Sequence, residues 1–599
     1  MRKHVTLFIL MFMVAMSIHA QNPDPKFSKL AEQYMYESLA LSPVNASYAG
    51  YHKRTDPKTG RVVEFDAILD DVSPQGWQQQ VVFYQTWQKR FRSEVNSSQL
   101  NLEDQADWRL IDDNIALSLL QLERMQVQRY QPQIYVELIG NALFLPLSQS
   151  YAPHDVRVGH VLSRIEAIPE FVAQTKQSLA EADPIFISTA KIENAGNIDM
   201  IENMVKQEVP PNSPLMQKYD VAAPKAIAAL KALDDWFDND LAKRKTTQTW
   251  RIGKEFYAEK FRLVMQTPVT PDQVLTTAEQ ELKDVREEML RLALPMHKEM
   301  YPDHGDHADL PLHERENKII SEVLMRISDE HPRRDQLLQT IEADIDGIKQ
   351  FIREKKIVAL SDRDNLKVIP TPPFMRGIFS VAGFHSAPPL DPNEEAQYWV
   401  TPIDPKTPDT EAESRLREYN NYTLKWLTIH EALPGHYIQF EHANNLQPEG
   451  RRVLRNLFGN GAYIEGWAEY IAQVMMDEGF LDNSPKFRMV MRKLRLRLLA
   501  NTILDVRMQT MNMTDQEALD LMINECFQTK AEAEGKLRRA KLTSTQLPTY
   551  YVGLKDWLQL RHDYQAKLGA KFSMIEFHNR VLDEGSLPIM YLRQVVMPK

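Results

Sequence analysis

From Phe27 to about Glu354, apolar residues recur at steps of three and four, the spacing that lays a stripe along one face of an α-helix. In Ala223–Leu241, for example, Ile227, Leu230, Leu233, Trp236, Phe237 and Leu241 fall mostly at these steps. Helix-start signals agree. Thr270-Pro271-Asp272-Gln273 places Thr at the cap, Pro at the first helical position and Gln where it reaches back to the cap. Thr514-Asp515-Gln516-Glu517 repeats the pattern with Glu. The texture changes near Val358. Asn365–Pro370 and Tyr398–Pro402 are short apolar pieces with β-branched and aromatic residues, set among Pro370, Pro372, Pro373, Pro388, Pro389, Pro392, Pro402 and Pro405. They predict a small strand-and-loop insert over about 358–405. The helical pattern then resumes almost to Lys599. No fixed period repeats, so a solenoid is not expected. The prediction is a mainly α protein with one large helical domain over 21–599. Its N-terminal helical half runs to about 357, and the second half covers 358–599.

Residues 1–20 read differently. Arg2 and Lys3 precede an apolar run from Val5 to Met16, and Ala20 closes a small-residue cleavage site before Gln21. That is the grammar of a cleaved secretory signal, and the run is short for a bilayer span. The mature chain is therefore expected in the periplasm or secreted, with no stable membrane insertion. No Cys stands near the cut to carry a lipid, and Cys526 has no partner in the chain, which excludes a disulfide scaffold. A lone cysteine in an exported protein suits a bacterial periplasm. Composition narrows the class further. A hydrophobic fraction of 43% with 9 Trp, 21 Tyr and 23 Phe excludes disorder as the main state. A net charge of −11 argues against a nucleic-acid partner, which needs basic surface.

The chemistry concentrates in Thr428-Ile429-His430-Glu431-Ala432-Leu433-Pro434-Gly435-His436-Tyr437. It begins like the zinc motif HExxH, in which two His one turn apart bind the ion and Glu is the base. Here the histidines stand six apart, about 120° around a straight helix rather than about 40°. One ion can take both only if the helix breaks between them. Pro434-Gly435 supplies a break, since Pro lacks an N–H and Gly tolerates unusual dihedrals. Downstream, Glu465-Gly466-Trp467-Ala468-Glu469-Tyr470 opens an apolar helical stretch. His430, His436 and Glu465 would form a three-ligand zinc site with a fourth position open for water, and Glu431 would take that water's proton. An isolated His-Glu pair reads as a polar pair on the surface; the break, the second His and the later Glu turn the reading toward a metal. A second group, Asp303-His304-Gly305-Asp306-His307, has residues that could bind a metal, but it sits among Pro, Gly and Asp, and the solvated loop is the favoured reading.

These residues resemble a bacterial family designated domain of unknown function 885, with its signature HEAxPGHH. The likeness extends over 250–599. Glu465-Gly466-Trp467-Ala468 with Tyr470 resembles the family's EGWAxY. Gln546, Thr549, Tyr550 and Gly553 resemble its Q-x-x-S-Y-x-x-G, with a following Arg that falls on Arg561. Phe577-His578, Leu582 and Gly585-Ser586-Leu587-Pro588 resemble its C-terminal FH…L…GSLP. Thr371-Pro372-Pro373-Phe374-Met375-Arg376 is similar to its substrate-side loop, and Arg251-Ile252-Gly253-Lys254-Glu255-Phe256 to a weaker upstream element.

The family is similar to helical gluzincin-like carboxypeptidases and dipeptidases. The resemblance thus implies a helical metallopeptidase-like body with a deep cleft, one Zn2+ and a short peptide substrate. It implies Tyr550 as the phenol that hydrogen-bonds the oxyanion, and Arg561, Phe374 and Arg376 as substrate-binding residues. Alone, Tyr550 reads equally as a core tyrosine beside Tyr551 and Trp557, and Arg561 as a solvated or salt-bridged residue. Three departures stand out: Tyr437 where the family often has a second His, Gln509 near a family His, and Ala472 where a further acid is usual. The Gln509 departure, which would remove a transition-state donor or narrow the substrate range, is the best support for the alternative, an inactive relative that binds peptides in the periplasm.

Overall fold

Helices carry the chain from Pro25 to Val596, interrupted by two small sheets. The computed structural model describes residues 23–56, 59–363, 365–372, 375–376 and 381–598. The expected signal segment 1–20 and the candidate substrate residue Phe374 lie outside the described residues. The stripe at 223–241 belongs to the helix Pro214–Asn239, opened by Ser213, whose side chain accepts from Met216 N, and by Pro214 in the first turn. Its buried edge is Ala222, Ala223, Ala226, Leu230, Leu233 and Phe237, with Ile227 and Trp236 half-buried beside it. Leu241 falls in the 3-10 turn that follows. Both capping boxes form. Thr270 opens the helix Pro271–Met300, and Thr514 opens the short helix Asp515–Asp520.

The sheets exceed the expectation. A hairpin of β1 (Lys53–Thr55) and β2 (Val62–Glu64) was not signalled by the pattern. The insert holds β3 (Leu366–Pro370), β4 (Ala382–His385) and β5 (Ala396–Val400) in the order β3-β5-β4. β5 is the buried centre, parallel to β3 from Leu366 opposite Ala396 and antiparallel to β4. The second expected strand is thus shifted toward the N-terminus by two residues. β4 escaped because Ala-Gly-Phe-His is short and carries no alternation of its own.

Two cores organise the described residues. One joins Val72 to Leu241 with Trp399. The other joins Tyr257–Val358 with Ala396–Val596, together with Ala106 and Leu110, and it contains the candidate site. By packing, then, the helices between 253 and 358 go with the C-terminal half. A buried ionic lock ties early, middle and late segments together. Arg455, fully buried, meets Asp107 Oδ1 at 2.6 Å and Glu584 Oε2 at 3.2 Å. Arg451 meets Asp107 at 2.7 Å and Asp104 at 2.5 Å.

Candidate metal centre

His430 and Glu431 end the helix Asn421–Glu431, which Asn420 opens by accepting from Tyr422 N and Thr423 N. Leu424, Leu427, Thr428 and Ile429 bury this helix and carry His430 inward. The helix stops where the Pro-Gly pair requires, and a new one, His436–Asn444, begins at His436. Space requires Gly435: a Cβ there would stand 1.9 Å from the His430 carbonyl oxygen and 2.4 Å from that of Ile429. Trp467 Nε1 fixes the turn by donating to the Pro434 carbonyl at 3.0 Å.

The break brings the two imidazoles face to edge, with ring centroids 4.8 Å apart. Each Nε2 lies 3.5 Å from Glu465 Oε2, and the three donor atoms all lie within 4.8 Å of one another. A tetrahedral zinc ion with bonds of about 2.0–2.1 Å holds its donors about 3.3–3.4 Å apart, so the donor set fits the ion. Glu465 comes from the helix Gly461–Asp477, capped by Asn460 on Tyr463 N at 2.8 Å. That helix crosses the helix Thr549–Leu568 backbone to backbone. A Cβ on Gly466 would lie 2.4 Å from Gly553 Cα, and one on Gly553 would lie 1.8 Å from the Ala462 carbonyl oxygen. The crossing sets Tyr550, one turn before Gly553, against His430, with ring centroids 6.4 Å apart and nearly parallel.

Carboxylates dominate the electrostatics of the two imidazoles. Burial would lower the His430 pKa, yet Glu465, Glu469 and Glu431 raise it to about 9. Burial pushes Glu465 up, but His430 and His436 pull it well below the usual carboxylate range. Glu431 and Glu469 are both raised, by burial first, against the lowering influence of His430. Glu469 Oε1 stands 3.6 Å from His430 Nδ1, an ion-pair distance on the side of the ring away from Glu465. Burial, then Glu465, pushes Tyr550 up to about 12, so it is a neutral phenol able to donate. The Glu465 side chain is 22% exposed and gives the donors their access to solvent.

Arg539, on the helix Lys530–Leu542, was not singled out from the sequence. Its Nη2 lies 3.0 Å from Gln546 Oε1 and 3.4 Å from the Tyr550 hydroxyl. Gln546, which shares a motif with Tyr550, was the available signal. Trp426 packs on His430 with centroids 5.1 Å apart, and Phe384 of β4 stacks on His436 at 6.3 Å.

The remaining expected residues lie elsewhere. Arg561 is eleven residues beyond Tyr550, about 16 Å along the helix, where its charge acts on Tyr470 and His578. Arg376 is exposed and its Nε donates to the Thr371 carbonyl at 2.9 Å. A cavity of about 60 Å³ between Leu324 and Glu532 is walled partly by Thr423 and Arg497 but by none of the three donors, so it is not the expected deep cleft.

The departures have structural roles. The Tyr437 hydroxyl lies 2.8 Å from both the Arg363 carbonyl oxygen and Asn365 Oδ1, with its one proton shared between these acceptors, and this anchors its helix to the start of the insert. Gln509 is buried; its Oε1 accepts from Ile252 N, and its Nε2 donates to the Ala540 and Thr543 carbonyls. It clamps the end of the Arg539 helix to the Arg251-Ile252-Gly253 segment, whose Arg251 also reaches the Met508 and Met513 carbonyls. Ala472 is fully buried in the core.

The family model described as bacterial protein of unknown function (DUF885) matches residues 43–596. The chain belongs to this family. The DUF885 match spans the helical N-terminal part as well as the site, so both cores fall within one family unit. The fold is shared with a protein from Shewanella oneidensis described as a "putative lipoprotein of unknown function". That protein is 27% identical with a TM-score of 0.78, over 96% of this chain and 100% of the other. It is also shared with a "putative lipoprotein" from Colwellia psychrerythraea, 15% identical with a TM-score of 0.76, over 95% of this chain and 98% of the other. No curated protein matches the chain. Among the described residues no helix is long and apolar enough to cross a membrane.

Proposed function

We propose that this DUF885 protein is an exported zinc-dependent peptidase acting on short peptides. The observation that carries the reading is the convergence of His430, His436 and Glu465 beside Glu431, with Tyr550 facing His430. A zinc ion held by His430, His436 and Glu465 would supply a Lewis acid for a peptide carbonyl and for water at an open fourth position. Glu431, its proton affinity raised by burial, accepts the proton of the attacking water and passes it to the leaving amine. Tyr550 donates to the carbonyl oxygen as negative charge develops there. Arg539 holds the Tyr550 hydroxyl in place from behind. Glu469, beside His430 Nδ1, orients that ring. Export is supported by the signal-like pattern of residues 1–20 and by the descriptions of both structural neighbours as lipoproteins.

The alternative, an inactive peptide-binding relative, leaned on Gln509. The Gln509 amide is engaged with backbone groups of Ile252, Ala540 and Thr543, a packing role that accounts for the residue without a loss of turnover. The deciding experiment pairs zinc content with hydrolysis of a mixed peptide library. Glu431→Gln is expected to keep its zinc and fold and to lose at least about a hundredfold in turnover. Undiminished turnover in that variant would remove Glu431 from the mechanism, and zinc without turnover in the native protein would favour the binder.

A further inference from the structure

The loop Asp303–His307, which reads from sequence as solvated, does not stand alone in the fold. His304 and His307 lie in the connection between the helices Pro271–Met300 and Leu312–Ser328. The first helix brings His297 from its last turn, and the second brings Glu322; both are buried. His297 Nε2 and His307 Nε2 lie 2.7 Å and 2.9 Å from Glu322 Oε2. His304 Nε2 lies 3.1 Å from His307 Nε2 and 3.5 Å from Glu322 Oε1. The four donor atoms all fall within 4.8 Å of one another.

We propose that His297, His304, His307 and Glu322 form a second metal site, a closed structural clip for a zinc-class divalent ion. Three arguments support it. The Nε2 atoms of His297 and His307 lie 2.7 and 2.9 Å from Glu322 Oε2 and that of His304 lies 3.5 Å from Glu322 Oε1, separations that an ion would draw to the roughly 3.3–3.4 Å edge of a tetrahedron with zinc bond lengths. The short contact between the two ring nitrogens of His304 and His307 sets a proton on one against the lone pair of the other, whereas an ion would accept both lone pairs at once. His307 holds a φ of 55°, in the left-handed region that a non-glycine residue rarely occupies, and it does so while delivering its ring to the cluster.

Four protein donors leave no open position, which marks a structural rather than a catalytic site. Three imidazoles and one carboxylate suit zinc, with cobalt, nickel and copper able to use the same ligands. The Lys318 ammonium, 3.1 Å from Glu322 Oε1, is the cation an ion would displace, and at 51% exposure that side chain is free to turn to solvent. Tyr301, whose hydroxyl donates to the Glu322 carbonyl at 3.1 Å, holds the start of the loop in register. A bound ion would fasten the 301–311 connection to both helices.

The clip does not rest on the peptidase reading, and the test separates the two. Chelator-stripped protein is dialysed against zinc chloride, and bound metal is counted in the native chain, His304→Ala/His307→Ala and His430→Ala/His436→Ala. The loop variant is expected to bind one equivalent less than the native chain. The His430→Ala/His436→Ala variant is expected to keep the clip's equivalent. If only the catalytic reading fails, His430→Ala/His436→Ala binds as much as the native chain while the loop variant still loses one equivalent. A loop variant that binds as much zinc as the native chain overturns the clip. Should the loop variant not fold, cobalt chloride is titrated into folded His430→Ala/His436→Ala. Intense visible bands of four-coordinate cobalt are expected, and their absence overturns the clip as well.

Discussion

Arg539 approaches the candidate site through Tyr550, and its side chain is held in turn by Gln546. A guanidinium in this place keeps the phenol hydroxyl aimed and its proton available for donation. Arg539→Gln is therefore expected to lower kcat about tenfold or more while leaving zinc content and KM nearly unchanged, since losing a direct oxyanion donor costs about 10²–10³. Steady-state kinetics with metal analysis check it; a rise in KM at constant kcat would make Arg539 a substrate contact instead. At this scale the sequence was readable where chemistry constrains a short run. His430, Glu431 and His436 stand within seven residues, and the break between them was legible as Pro-Gly. Arg539 was not legible, because an arginine on an amphipathic helix looks the same whether it faces water or a phenol. The packing role of Gln509 was not legible either: a buried amide bridging three backbone groups leaves no mark in the sequence.

Among elements, the decisive contact is the glycine-on-glycine crossing of the helices Gly461–Asp477 and Thr549–Leu568. It carries Glu465 and Tyr550 to the same space. Gly553→Ala would place a methyl group 1.8 Å from the Ala462 carbonyl oxygen, so the helices must part. The variant is expected to stay helical by circular dichroism yet to lose most activity and bind zinc more weakly. Overpacking of this kind costs typically about 1–3 kcal/mol of stability, measurable by urea unfolding alongside zinc titration. Native-like zinc affinity in Gly553→Ala would show that the crossing tolerates separation. Helix starts were readable here because caps are local: Thr270 and Thr514 name their partners three residues on. The strand β4 and the helix crossing were not, since both depend on what arrives from elsewhere in the chain. The motifs EGW and YxxG did contain the two glycines, but nothing in either string says that they meet.

Across the whole molecule, the lock of Arg451 and Arg455 with Asp104, Asp107 and Glu584 joins segments that share no local pattern. Arg455→Ala leaves Asp107 and Glu584 buried with fewer partners, and removing one member of a buried pair costs about 3–5 kcal/mol. Denaturant melts are expected to show that loss; a change under about 1 kcal/mol would mean that solvent screens the lock. The mainly helical architecture was legible, whereas the grouping of the 253–358 helices with the C-terminal half was not, because periodicity reveals a buried face without naming its neighbour.

The lock also sets an order in time. Asp107 and Arg455 are 348 positions apart, and Arg455 must wait a further 129 for Glu584. A ribosome has therefore nearly finished the chain before this contact can close, and contacts so distant along the polymer form late in folding. For a chain that crosses a membrane after synthesis, lateness is useful. Under the proposed export, that delay would keep the nascent polypeptide loose enough to be threaded through a translocation channel before the lock closes.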